Sequence, residues 1–188
     1  MEVFYKKCHT VHIDLLHALE RGLNLDRGFF ERVCNQNTSE LRLNHYPACD
    51  TQALTNGGAN RISEHTDFGT VTLLFQDSVG GLEVEDQSRH GSFIPVKNDH
   101  QAEMIVNIGD CLQRWTNDVL HSANHRVKLP PAFKDARVDD RYSIAYFAKP
   151  NRTQSVGTLK EFVLQGNPAK YDKMTAWEYN QAKLVRTY

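Results

Sequence analysis

His65-Thr66-Asp67-Phe68-Gly69-Thr70-Val71-Thr72-Leu73-Leu74-Phe75-Gln76 places an imidazole and a carboxylate two positions apart at the entrance to an apolar, β-branched strand. On an extended backbone residues i and i+2 share a face, so His65 and Asp67 can reach one point in space. One further histidine would complete the facial triad that holds non-heme Fe(II) with positions left open. By itself His-x-Asp is weak: with nine histidines in the chain such a pair arises readily by chance, and it reads equally as a solvated turn before a strand. The surrounding sequence has to decide.

Upstream, Phe4, Cys8, Val11, Leu15 and Leu19 recur at spacings of three and four between Lys, His, Asp and Glu, which predicts an amphipathic helix over 3–20 ended by Gly22. Asp26 is placed to cap a short second helix carrying Phe29, Phe30 and Val33. The period then changes to two, with Leu41, Leu43 and His45 alternating with Arg42, Asn44 and Tyr46 in a strand that stops at Pro47. Residues 47–60, with Asn56-Gly57-Gly58, read as a loop delivering the chain to His65. Downstream, strands are expected near 70–76, 81–85, 92–97, 103–108, 122–129 and 141–148, with a loop from Lys128 to Asp140 containing Pro130-Pro131 and a terminal helix from Thr175 to Thr187. Many short strands at this spacing predict an antiparallel sandwich or barrel.

The chain has 188 residues, 40% of them hydrophobic and 24% charged, which suits one soluble domain with a sizeable core. Its net charge of −1 comes from interleaved acids and bases, so nothing marks a nucleic-acid or anionic-membrane partner. Cys8, Cys34, Cys49 and Cys111 are widely spaced and form no Cys-x-x-Cys pair, predicting reduced thiols in an intracellular protein. No secretory signal or membrane span is read near Met1, so the expected location is the cytoplasm. The apolar positions of the first helix extend to Val3, Tyr5, Ile13 and Leu16, wider than one sheet contact needs. Homodimerisation through this helix is therefore the expected protein contact, beside a small-molecule substrate.

A third metal ligand must come from a strand folded back beside the first. His121-Ser122-Ala123-Asn124-His125-Arg126-Val127 offers two candidates of the same parity. His125 opens a clean alternation with Val127 and Leu129, whereas His121 follows the turn-like Thr116-Asn117-Asp118, so pattern favours His125 without excluding His121. His9, His12, His17, His90 and His100 read as ordinary surface histidines. Arg141 and Ser143 share one strand face, a five-donor guanidinium beside a hydroxyl, which suits a buried carboxylate. Asn44 and Tyr46 likewise share a face, and the Tyr46 phenol can donate to the same oxygens.

Taken in order, Leu41-Arg42-Leu43-Asn44-His45-Tyr46-Pro47, His65-Thr66-Asp67, Gly80-Gly81-Leu82-Glu83-Val84, Asn107-Ile108-Gly109-Asp110, His125-Arg126-Val127 and Arg141-Tyr142-Ser143 resemble the 2-oxoglutarate/Fe(II)-dependent dioxygenase superfamily. The branch is the one that includes isopenicillin N synthase and the plant flavonoid and gibberellin oxygenases, and the chain looks most like fungal members. The resemblance implies a mainly β fold with flanking helices, a double-stranded β-helix or jelly-roll, in a single domain over 1–188. Residues 1–35 would give helical support, 40–150 the jelly-roll core, and 151–188 a C-terminal extension with the terminal helix.

The resemblance also implies His65, Asp67 and His125 as the Fe(II) ligands. It implies Arg141, Ser143 and Tyr46, with Asn44, around the distal carboxylate of 2-oxoglutarate. The implied reaction consumes O₂ and 2-oxoglutarate, releases succinate and CO₂, and oxidises a small organic molecule, most simply by hydroxylation. Family members normally carry further helices and strands before the first helix found here, and their lack would leave that helix incompletely covered. Two alternatives follow from the same residues: a non-catalytic metal-binding jelly-roll, and an Fe(II) oxidase that uses its Arg-x-Ser to hold its own substrate instead of 2-oxoglutarate.

Overall fold

The computed structural model describes residues 1–55, 61–98, 100, 102–129, 133 and 135–187; the expected Asn56-Gly57-Gly58 and Pro130-Pro131 turns lie outside them. Helix α1 runs from Glu2 to Gly22, and Gly22 is still inside it. The residue that turns left-handed is Asn24, at φ 56°. The Leu25 and Asn24 N–H groups donate back to the carbonyls of Glu20 and Arg21, the pattern that satisfies the last carbonyls of a helix. Asp26 does not cap α2 (Glu31–Cys34), which has no side-chain cap. Instead the buried Glu20 carboxylate reaches over from α1 and accepts the N–H groups of Gly28 and Phe30, both at 2.7 Å.

Two four-stranded antiparallel sheets follow. The first orders β1 (Glu40–Tyr46), β10 (Arg141–Phe147), β4 (Val71–Gln76) and β7 (Ile105–Ile108). The second orders β3 (Ile62–His65), β8 (His125–Val127), β5 (Leu82–Glu85) and β6 (Phe93–Pro95). Facing sheets of this size and connectivity are the expected jelly-roll. Strand β3 was not expected, since Ile62 is its only aliphatic residue; it exists because β8 pairs with it. The expected 122–129 strand is only three residues long. The expected loop before Arg141 contains β9 (Arg137–Val138), which pairs with β2 (Cys49–Asp50) before the short helix α3 (Thr51–Thr55). Helix α4 (Asp110–Trp115) was also unread, and helix α5 (Ala176–Thr187) falls where periodicity placed it.

Helix α1 lies on the outer face of the first sheet. Its most buried row is Cys8, His12, Leu16 and Glu20, one residue every turn. Phe4 packs edge-on to Phe75 at 5.2 Å and Tyr5 to Tyr146 at 5.4 Å, and Phe30 stacks on Trp115 behind them. The expected uncovered stripe is therefore mostly covered by the chain's own jelly-roll: Phe4 and Cys8 turn inward, and the large exposed apolar side chains of α1 and its cap are Met1, Val3 and Val11.

His12, expected at the surface, is fully buried, because a row of four-residue spacing carries it under the helix. Its Nε2–H donates to Thr70 Oγ1 at 2.9 Å, and that hydroxyl donates on to the Ala148 carbonyl. Burial, with a smaller contribution from His9, pulls its pKa from 6.5 down to about 3. The unfolded chain takes up a proton near pH 6.5 that the folded chain refuses until about pH 3, so stability present above that window is lost as pH falls through it. We expect urea midpoints to fall more steeply with acidification in wild type than in His12→Leu; equal slopes would assign the acid sensitivity elsewhere.

The strand ends nearest Asp67 meet without room for side chains. A Cβ on Gly69 would lie 2.0 Å from the Ala148 carbonyl oxygen, and one on Gly109 would lie 2.4 Å from the Gly69 oxygen. That closeness lets the N–H groups of Gly109, Asp110 and Cys111 donate to the carbonyls of Thr70, Asp67 and Gly69. The turn carrying Asp67 is thus clamped between the ends of β7 and β10.

Candidate metal and cosubstrate site

Strand pairing brings the two histidines together. In the β3–β8 ladder His65 stands directly opposite His125, and their rings lie 4.3 Å apart. Asp67, just past β3, puts Oδ1 3.7 Å from His65 Nε2 and 3.8 Å from His125 Nε2. One ligand atom from each residue falls within 4.8 Å of the others, a spacing that a single cation can bridge. His121 also borders the cavity here but contributes nothing to this cluster.

Each ligand atom is aimed by a hydrogen bond on its other side. His65 Nδ1–H donates to the Ser63 carbonyl at 2.8 Å and His125 Nδ1–H to the Ala123 carbonyl at 2.9 Å. Those bonds leave both Nε2 lone pairs facing Asp67. The buried Asp67 accepts Thr72 Oγ1–H at 2.6 Å and Asn107 Nδ2–H at 2.9 Å on Oδ2, leaving Oδ1 towards the histidines. Burial, and then the neighbouring His125, hold His65 below the ordinary imidazole range, which favours the neutral form that a metal ion would need. Two imidazole nitrogens and one carboxylate oxygen on one side of a cavity match the donor set of a non-heme Fe(II) site.

Thr72 and Asn107 were not singled out from the sequence. Their role depends on β4–β7 register, which sets them directly opposite one another. Only the position of Asn107 in the Asn-Ile-Gly-Asp segment hinted at it.

A second group forms on the first sheet. Register sets Tyr46 opposite Arg141, and lines Asn44, Ser143 and Gln76 in one row across β1, β10 and β4. Arg141 is 1% exposed. Its Nε–H donates to the Gly80 carbonyl at 2.9 Å and its Nη2 to Gln76 Oε1 at 2.7 Å. Its guanidinium carbon sits 4.9 Å from the centre of the Tyr46 ring. Arg141 Nη1 is buried and has no hydrogen-bond partner among the described residues.

Ser143 Oγ accepts from Asn44 Nδ2 at 3.3 Å, which leaves its own hydrogen to donate. A buried guanidinium with an idle nitrogen beside a free hydroxyl donor is suited to a carboxylate, whose oxygens offer about four acceptor sites. The residues present fit the distal end of a dicarboxylate. Gln76 and Gly80 were missed from sequence, since both act by holding Arg141. Gly80 and Gly81 take φ of 78° and 92°, a turn that brings the Gly80 carbonyl to Arg141 and lets β5 approach Lys128.

The candidate metal-ligand cluster and the Arg141 group line one cavity of about 450 Å³. A more open cavity of about 630 Å³ lies outside it, sharing Asn44, Tyr46, Ile62, His65, Asp67 and Phe147 and walled in part by Asn180, Lys183 and Leu184 of α5. His65 and Asp67 therefore stand where the two spaces meet, and His125 faces the inner one.

Comparison with known proteins agrees with this geometry. The sequence profile described as the 2OG-Fe(II) oxygenase superfamily matches residues 30–150. The chain is 59% identical over its whole length to a 2-oxoglutarate-Fe(II) type oxidoreductase, ppzD, of Metarhizium majus, covering 53% of that protein. It is 58% identical to the proline hydroxylase buaE of Petromyces alliaceus, again over all of this chain and 59% of the relative. Among solved structures, a full-length Neurospora crassa protein in complex with alpha-KG and thymine superposes with a TM-score of 0.90 at 36% identity, over 100% of this chain and 56% of that one. The chain thus spans a little over half the length of the curated relatives it matches. A profile match across most of the jelly-roll and a solved relative of the same fold place the chain in one family: it belongs to the 2OG-Fe(II) oxygenase superfamily.

Proposed function

We propose that the protein is a non-heme Fe(II)- and 2-oxoglutarate-dependent oxygenase that hydroxylates a small organic molecule, with His65, Asp67 and His125 as metal ligands and Arg141, Ser143, Tyr46 and Asn44 around the cosubstrate. The observation that carries this reading is that three converging ligand atoms and a buried guanidinium with an idle nitrogen open onto the same cavity. Bound Fe(II) with 2-oxoglutarate and O₂ supplies oxidising power, 2-oxoglutarate being decarboxylated to succinate and CO₂ as one oxygen atom enters the substrate. The chain's own contribution is positioning. Ser63 and Ala123 fix the imidazole tautomers, Thr72 and Asn107 fix the carboxylate, and Gln76 and Gly80 hold Arg141. Leu74, Leu82, Val84 and Ile105 line the inner cavity and limit water around the cosubstrate.

For the substrate we propose a prolyl group or a related saturated nitrogen ring, supported by the 58% identity to a protein named proline hydroxylase. The outer cavity beside the triad is the space for it. We propose a single domain over 1–188 and, from four unpaired thiols, a cytoplasmic location; no helix among the described residues is long and apolar enough to cross a membrane. A homodimer through α1 would have Met1, Val3 and Val11 as its large exposed apolar side chains, so the proposed partners are small molecules first. The test is to load the protein anaerobically with Fe(II) and 2-oxoglutarate, add proline or prolyl peptides, admit O₂, and follow succinate and product by mass spectrometry. Succinate formation matched by a product one oxygen heavier is expected. Metal-loaded protein that forms neither succinate nor an oxidised product with any member of a metabolite library would leave the non-catalytic module standing, and an oxidised product without succinate would leave the Fe(II) oxidase.

A further inference from the structure

Helix α5 is docked on the turn between His65 and Thr70. Its start is fixed by a reciprocal cap: Glu178 N–H donates to Thr175 Oγ1 at 3.2 Å, and the Glu178 carboxylate accepts the Thr175 N–H at 2.8 Å. Its inner face packs Ala176 and Tyr179 against Cys111, Val156 and Phe68. One turn beyond Tyr179, Lys183 emerges on the same face. Tyr179 OH and Lys183 Nζ both donate to Oδ2 of Asp110, the phenol at 2.9 Å. Lys183 Nζ also donates to Thr66 Oγ1 at 2.7 Å. Thr66 is the residue between His65 and Asp67, and the Asp110 N–H donates to the Asp67 carbonyl at 2.8 Å.

These bonds form a closed circuit: Lys183 to the Thr66 side chain, along the chain to Asp67, across to the Asp110 backbone, and through its carboxylate back to Lys183. Asp110 is 8% exposed. A largely buried ion pair is no more stabilising than well-packed apolar side chains of the same volume, because desolvating both charges offsets their attraction. Packing alone, which Tyr179 and Phe68 already provide, would hold α5 in place. What the charged circuit adds is direction, since it fixes the hydroxyl of Thr66 and with it the backbone that presents both candidate ligands.

We propose that Lys183 is a positioning residue of the metal site, holding Thr66 and Asp110 so that His65 and Asp67 converge, and that α5 is thereby part of the metal-binding unit. The inference rests on the assignment of His65 and Asp67 as ligands. Groups that orient ligands from behind typically change metal affinity by about 10- to 100-fold when removed. Co(II) titrations of the 188-residue chain, followed by its visible absorption, test this with Lys183→Met, Lys183→Arg, Thr66→Val and the double variant Lys183→Met/Thr66→Val.

We expect Lys183→Met and Thr66→Val each to weaken Co(II) binding by about tenfold, and the double variant to lose no more than Lys183→Met alone, because that substitution already removes the Lys183–Thr66 hydrogen bond. Lys183→Arg, which keeps the charge and the reach, should recover most of the loss. Additivity separates this from loosened packing: a general loosening would make the loss in Lys183→Met add to that in Thr66→Val, whereas removal of one shared hydrogen bond would not. Unchanged affinity in Thr66→Val and Lys183→Met, or additive losses, overturns the proposal while leaving the ligand assignment intact. Wild-type protein that binds no Co(II), or His125→Ala protein that still binds it, overturns the ligand assignment and the proposal with it.

Discussion

Replacing His125 with alanine is expected to abolish divalent-metal binding, and replacing His121 to leave it intact. The two residues share strand parity, and pattern alone favours His125 without excluding His121. The structure supports His125 on three counts. It faces His65 across the β3–β8 ladder, its Nε2 lies 3.8 Å from Asp67 Oδ1, and its Nδ1 is tied to the Ala123 carbonyl. A three-residue site that loses one imidazole keeps a histidine and a carboxylate, a pair common on protein surfaces without any metal. Isothermal titration with Fe(II) under anaerobic conditions, or with Co(II) in air, measures the loss directly. Retained binding in His125→Ala together with lost binding in His121→Ala would reverse the assignment.

The parts of this site that could be read in the sequence are those whose spacing carries the chemistry. His-x-Asp and Arg-x-Ser each place two groups on one strand face, and that much follows from a period of two. Their holders could not be read in the same way. Gln76 reaches Arg141 across 65 positions and Asn107 reaches Asp67 across 40, and both meetings depend on a strand register that composition does not encode. Lys183 sits on a helix that periodicity located, yet only docking shows that it meets Thr66.

The elements divide along the same line. Helix α1, strands β1 and β10 and helix α5 have internal periods, β4 is a near-continuous apolar run, and all lie where expected. Strand β3 and helix α4 do not. Ile62-Ser63-Glu64-His65 has too little apolar character to announce a strand and is made one by pairing with β8. Asp110–Trp115 is shorter than two helical turns, so its three buried apolar side chains, Cys111, Leu112 and Trp115, show no distinctive spacing. On α1 the apolar pattern gave the helix but set its buried row slightly off, because two polar residues lie in that row. His12 bonds to Thr70 and Glu20 caps the Gly28–Phe30 turn, and neither looks like core in a list of residue types. The expected wide bare stripe fails for a different reason: Phe4, Tyr5, Ile13, Leu15 and Leu19 pack against the chain's own core.

Arg141→Lys is expected to weaken 2-oxoglutarate binding by about one to two decades, the equivalent of the roughly 1.5 to 3 kcal/mol that a charge-assisted hydrogen bond contributes. The guanidinium here serves three directions at once: Nε–H to the Gly80 carbonyl, Nη2 to Gln76 and Nη1 unpaired. Lysine keeps the charge but offers a single nitrogen on a flexible stem. It can satisfy Gln76 or a ligand carboxylate, and it cannot keep a planar guanidinium over the Tyr46 ring.

The effect should depend on the distal carboxylate. In calorimetric titrations of the metal-loaded protein, 2-oxovalerate, which chelates through the same 2-oxo acid head but has no second carboxylate, should bind wild type and Arg141→Lys alike, whereas 2-oxoglutarate should separate them. Equal losses for both acids would mean that the substitution has disturbed the cavity as a whole. Unchanged 2-oxoglutarate affinity would reassign Arg141 and Ser143 to the molecule being oxidised, and with it the outer cavity would lose its role as the substrate's place.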